Sequence, residues 1–199
     1  MRRIVLSLLF VTIGLVSLKA QSLNLGIYTG VDAARFRISG AEGGPLKYKT
    51  ELTAGASLEA GFSSLFSLQL EANFSQQGTG LIQDDGSTAG SYGLDYITVP
   101  LLAKLHATPN LSFYAGPQVG FLIAARVKSS TAPTQDVKDL LESTDFYAVL
   151  GTEYKFNNGV FLGARYNLGT QNLVKATTTG DLKNAYYSFR IGYNFSLKK

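Results

Sequence analysis

The chain has no cysteine and a single histidine, and beyond residue 20 no apolar run approaches the ~18 residues of a membrane-spanning helix. Without cysteine there are no disulfide staples, no thiolate chemistry and no lipid attached through an N-terminal cysteine. Without a long apolar run there is no helical membrane span in the mature chain. The lone histidine, His106, opens a short turn, and no serine or carboxylate stands at a spacing that suggests a partner; it reads as an exposed turn residue. Asp84-Asp85-Gly86 lacks the further ligands of a calcium loop, and Gly78-Thr79-Gly80 opens no helix and so makes no phosphate loop. The Asn-x-Ser triplets at Asn73, Asn110 and Asn194 lie in or beside strand-like runs and carry no functional signal. No catalytic residue, cofactor or metal is expected.

Positive charge is also scarcer than it looks. Arg2, Arg3 and Lys19 precede Gln21, and without these three cations the formal charge of +4 falls to +1. Nucleic acid is therefore not an expected partner. The same residues frame a leader: a basic start, the apolar run Ile4–Leu18, and Ala20 as the small residue before a cut. Ser7, Thr12 and Gly14 dilute the run, so an uncleaved membrane helix is the poorer account. The expected division is a secretory signal peptide at 1–20 and one domain at 21–199.

What the chain does have is alternation. In LDYITVPLLAKL (94–105) the residues Ile97, Val99, Leu101, Ala103 and Leu105 occupy every second position. In LSFYAGPQVGFLIAAR (111–126) Leu111, Phe113, Ala115, Val119, Phe121 and Ile123 do the same. A period of two means strand, and these runs fit the 9–11 residues or so of a tilted bilayer-crossing strand, apolar outward and polar inward. The pattern recurs at 23–33, 54–62, 66–75, 146–154, 160–169 and 186–195. Short connections at 63–65, 106–110 and 157–159 alternate with long ones at 35–51, 78–93, 127–144 and 170–184. Within 127–144, the stretch Gln135–Glu142 could make one or two helical turns that bury Val137, Leu140 and Leu141.

Eight strands with turns short on one side and long on the other predict an all-β fold. Its form is an eight-stranded antiparallel up-and-down transmembrane β-barrel, with four long extracellular loops and three short periplasmic turns. Phe62, Phe66, Phe113, Tyr154, Phe156, Tyr193 and Phe195 would form an aromatic girdle near the short turns. Setting Leu105 opposite Leu111 would place Pro100 opposite Gly116, beside Pro117, where a bulge or weakened pairing is expected.

The inward face carries Glu59, Glu71, Lys104, Glu153, Arg165 and Arg190 at similar heights. Eight strands enclose a lumen only just wide enough for side chains, and buried charges must be paired. These six are expected to form a lumen charge network that plugs the barrel, with Glu153 and Arg165 as one pair. A gated conduit is the alternative use of the same residues.

LQLEANFSQQG (68–78), LDYITVPLLAKL (94–105), FYAGPQVGFLI (113–123), DFYAVLGTEY (145–154) and FLGARYNLG (161–169) resemble the small outer-membrane β-barrel proteins called porin-family or PorT-like. The resemblance spans essentially the whole mature chain and departs from the family at the end, where Phe195 is followed by Ser196-Leu197-Lys198-Lys199 in place of a terminal aromatic. It implies a cell outer-membrane location, lipid as the surrounding partner, and a monomer. It also implies a non-enzymatic structural, adhesive or envelope- and secretion-accessory role, with an extracellular or envelope protein as partner through the long loops. A narrow solute channel is the second reading and an outer-membrane enzyme the third. A lipocalin-like soluble barrel would reverse the observed pattern.

If the leader is removed as expected, the intact mass of protein recovered from membranes should correspond to a chain beginning at Gln21. A mature protein that retains Met1 would contradict the secretory reading.

Overall fold

The computed structural model describes residues 20–39, 46–82, 88–129, 133–175 and 181–198. Apart from Ala20, the segment assigned to the leader lies outside the described residues. The strands are β1 (Ser22–Ser39), β2 (Leu46–Gly61), β3 (Phe66–Ile82), β4 (Thr88–His106), β5 (Leu111–Ser129), β6 (Gln135–Asp136), β7 (Thr144–Lys155), β8 (Val160–Gly169) and β9 (Asp181–Lys198). The eight long ones pair antiparallel in chain order. Because β5 pairs with β7 and β9 pairs back to β1, the sheet closes on itself. Two-residue β6 merely extends the rim beside β5. This is the eight-stranded barrel that the alternation predicts. Closure removes the unpaired edges that hydrocarbon cannot solvate.

The short turns are built from side chains that accept backbone hydrogen bonds. Ser63 Oγ accepts from Leu65 N at 3.2 Å and Phe66 N at 3.1 Å. Thr108 Oγ1 accepts from Leu111 N at 2.9 Å, and Asn158 Oδ1 from Val160 N at 3.1 Å. Gly159 takes the left-handed conformation (φ +90°) that the Asn-Asn-Gly turn requires.

The other end departs from expectation. Much of 35–51 and 78–93 is strand rather than loop, and residues 40–45 and 83–87 lie outside the described residues. The reason is an inversion of polarity. Lower down, the outward residues are apolar: Ile27, Leu101, Leu150 and Phe189 are each about half exposed or more. Higher up, Arg35, Arg37, Arg126 and Lys128 face outward, while Phe36, Leu94 and Ala125 turn inward and are buried. An alternation that changes phase no longer reads as lipid-facing strand, although the backbone ladder resumes above register shifts at Tyr48/Thr53 and Asp95/Tyr96.

The β5–β7 connection packs over this upper lumen. Val137 N donates to Ala125 O at 3.0 Å, Glu142 N to Leu173 O at 2.8 Å, and Leu141 bridges Val174. The helical turns expected at 135–142 shrink to a 3-10 turn at Lys138–Leu140. Val137 and Leu141 are half-buried there, but Leu140 is 65% exposed, contrary to expectation. The terminal Ser196–Lys198 is no appendage: Ser196 pairs with Asn24 and Lys198 with Leu23 across a bulge, so the tail completes the closing strand.

The β4–β5 register is also corrected. Leu105 faces Phe113, not Leu111, and Pro100 faces Gln118, because the turn is centred one residue further along the chain, at Pro109, than that pairing assumes. The ladder weakens at the prolines without bulging. Pairs are missing at Leu101–Leu102 against β5 and at Val99–Pro100 against β3, and the register is unchanged on either side. A proline has no N–H to give to such a ladder.

Gly116 sits within this weakened patch, and a Cβ there would collide with the Leu101 carbonyl oxygen. Gly116→Ala should therefore cost about 1–3 kcal/mol in urea unfolding from lipid vesicles, the usual penalty of overpacking. The outward Ala115→Val should stay within about 0.5 kcal/mol, as surface changes do.

Candidate functional site: the filled lumen

Inward-facing residues below the polarity inversion converge on one carboxylate. Glu71 of β3 receives Arg165 Nη1 from β8 at 2.8 Å, and Arg190 Nη1 from β9 at 3.0 Å to each oxygen. Tyr28 OH donates to it at 2.7 Å, and Gln69 Nε2 at 2.7 Å. Arg190 turns its second amino group to Tyr114 OH at 2.7 Å and lies 4.7 Å over the ring of Tyr28. The three ionised side chains are at most 2% exposed. Two guanidiniums on one buried carboxylate leave a surplus of positive charge, offset from the layer below.

That lower layer centres on Lys104. Its Nζ donates to Glu59 at 2.9 Å, to Glu153 at 2.6 Å and to Gln69 Oε1 at 3.1 Å. One lysine between two carboxylates carries the opposite surplus, so the six charges balance as a set. Gln69 joins the layers, accepting from Lys104 and donating to Glu71. The structure thus brings Glu59, Lys104 and Glu153 into one cluster, and Glu71, Arg165 and Arg190 into another.

The pair expected between Glu153 and Arg165 does not form. The hairpin register is as derived, with Gly163 opposite Glu153 and Gly151 opposite Arg165. The space beside Gly151 is taken by the ring of Tyr114, whose atoms lie 2.6 Å from where a Cβ would stand. Arg165 therefore reaches across the lumen to β3, and Glu153 turns to β4.

His106 is also corrected. Its Nε2 is 2.9 Å from Ser67 Oγ and 3.5 Å from Glu59 Oε1, and its Nδ1 is 2.9 Å from Ser112 Oγ. These partners come from β2, β3 and β5 and meet only because the ring brings them to one height. Ser67 and Ser112 are themselves buried in the wall. Residues that sequence reasoning passed over include Gln69 and the buried Asp32 and Asp145; Asp32 takes a hydrogen bond from Ser75 Oγ. All three lie on inward positions, and the alternation alone could have found them.

Above the charges lies an amide and hydroxyl layer. Tyr147 OH donates to Gln77 at 3.2 Å, Gln118 Nε2 to Tyr186 OH at 2.8 Å, and the two tyrosine rings meet edge-on at 5.7 Å. Above that come Phe36, Leu94, Tyr96, Leu122 and Leu173 as an apolar cluster. Among the described residues no group of three or more His, Cys, Asp or Glu could hold a metal ion.

The outer wall presents apolar residues around the ring, with paired aromatics near the short turns: Tyr154 with Phe156 at 5.0 Å and Tyr193 with Phe195 at 4.7 Å. A second outward aromatic cluster, Tyr48, Tyr166 and Tyr187, with Arg35 over Tyr48 at 4.8 Å, marks the other rim.

A family model described as outer membrane protein beta-barrel domain matches residues 19–175. Among solved structures, Neisserial surface protein A is similar at 12% identity and a TM-score of 0.58, covering 86% of this chain and 97% of that one. Ail, the attachment invasion locus protein of Yersinia pestis, is similar at 15% identity and a TM-score of 0.51, covering 86% and 98%. Identities this low establish the fold alone. No curated protein matches the chain.

Double-mutant cycles test the pairing. Lys104→Met with Glu153→Gln should show a coupling of about 0.5–3 kcal/mol in unfolding free energy, and Glu153→Gln with Arg165→Met close to none. Glu71→Gln should cost about 3–5 kcal/mol, because it leaves two buried guanidiniums without their counterion.

Proposed function

This chain belongs to the outer membrane protein beta-barrel domain family, and from that premise we propose that it is a closed, non-enzymatic barrel with a structural or interaction role. As a member it is an outer-membrane β-barrel protein, held in lipid by the apolar wall that its eight strands turn outward. In this reading the long-connection end faces the cell exterior and the short turns face the periplasm. The protein stands as a monomer, and an extracellular or envelope protein is its partner at the loop end.

The observation that carries the proposal is the continuous filling of the lower lumen. From the short-turn end upward, Lys104, Gln69, Glu71, Arg190 and Tyr28 are linked by hydrogen bonds. Tyr147 and Tyr186 then close the section above. Opening a path for solute would strand charges that have no water to replace their partners, at several kcal/mol each. The serines beside His106 support the non-enzymatic reading, since both are buried in the wall. A catalytic nucleophile must instead be open to a substrate.

The refolded protein in planar bilayers should give no steady single-channel conductance. Glu71→Ala should also fail to open a large pore, because eight strands enclose none. Steady conductance by the unaltered protein would replace this reading with the narrow solute channel.

A further inference from the structure

Above the plug, where the barrel's polarity has inverted, the described residues do not fill the lumen. A cavity of about 450 Å³ opens there between the upper strands and the β5–β7 and β8–β9 connections. Eleven of its thirteen lining residues are Leu, Ile, Val or Phe; the exceptions are Thr79 and Tyr92. The Thr79 hydroxyl is engaged, since it donates to Lys47 O at 3.1 Å. The Tyr92 ring packs on Phe36 at 5.8 Å. Its walls are preformed. Leu173 N donates to Leu182 O at 2.8 Å, Lys175 Nζ to Asp139 O at 2.9 Å, and the Leu141–Val174 bridge ties the two connections together.

We propose that this cavity binds a single unbranched acyl chain. Its volume lies within the range of small-molecule sites, about 300–1,000 Å³. A cavity lined by aliphatic side chains does not hold water well, since a buried water needs two to four polar partners. The same lack of partners excludes a peptide segment, whose N–H and C=O groups would be buried unsatisfied at a cost of a few kcal/mol each. A methylene chain carries no such groups, and each CH₂ it buries contributes about 0.8 kcal/mol. The filled section of the lumen lies on the short-turn side, so the chain enters and leaves by the loop end. Lysines and acids both flank the lining, at Lys47, Lys138, Asp139 and Asp181. The tail is thus the element recognised, whether it belongs to a free fatty acid or to a lipid.

The test uses the refolded protein in phospholipid nanodiscs, with labelled Ile, Leu and Val methyl groups read by NMR. Added decanoate should shift the methyls of Leu81, Ile82, Leu141, Leu173 and Leu182 and leave those of Leu102 and Val149, buried lower in the lumen, unmoved. Broadening of the same cavity methyls by a phospholipid carrying a nitroxide on its acyl chain would assign the tail to lipid; response to decanoate alone would assign it to free fatty acid. Val137→Trp, which fills the cavity, and Leu141→Glu, which puts a carboxylate in its wall, should each weaken binding by about tenfold or more. Both changes lie in a connection outside the long strands, and retained heat-modifiable gel migration will show that the barrel is intact. Silence of the cavity methyls to both probes would overturn the inference, as would equal shifts on Leu102 and Val149 or unchanged affinity in Val137→Trp. None of these outcomes bears on whether the plug conducts.

Discussion

A ring of eight strands leaves a lumen that side chains alone can fill, and each charge placed in it must find its counterion there. Glu71 meets that constraint with two guanidiniums, a tyrosine hydroxyl and an amide. Lys104 meets it with two carboxylates. Neither cluster is neutral alone, and Gln69 connects them so that a surplus on one side faces a deficit on the other. The partners come from β1, β2, β3, β4, β7, β8 and β9, so each ion pair is also a cross-brace between distant parts of the wall. Hydrogen-bonded strand pairs hold neighbours together; these charges hold the ring's opposite sides.

The barrel stands in two solvents, and its side chains record where one gives way to the other. Below, apolar residues point outward and charges inward, the arrangement hydrocarbon demands. Above, Arg126 pairs with Asp95 on the outside at 3.2 Å while Leu94 and Leu122 are buried within. That upper segment is built like a small water-soluble barrel set on a membrane-embedded one. The outward aromatics Tyr48, Tyr166 and Tyr187 lie near the change, where amphipathic rings favour an interface.

This two-part build separates two tasks. The lower part is the membrane anchor, and the charged residues inside it are spent on one another. The upper part has an apolar interior that its own residues do not complete, roofed by connections tied through Leu141, Leu173 and Leu182.

Strand number, the antiparallel order, the Asn-Asn-Gly turn and the inward set of six charges were all determined by the sequence. Each rests on a local rule: a period of two between neighbouring positions, or a turn that needs a left-handed glycine. Strand ends at the loop side were hidden for a local reason too, since the alternation of Arg35, Phe36 and Arg37 runs in the opposite phase to that of Val31 and Asp32. Which charges meet was decided only by tertiary structure. Glu153 and Arg165 are diagonal neighbours in sequence register, but the Tyr114 ring occupies the space at Gly151, and the partners of both lie on other strands. His106 gained Ser67, Ser112 and Glu59 in the same way, across spacings that no motif encodes. Closing the ring sets distances across the lumen, and those distances are a property of the whole circumference rather than of any one stretch of chain.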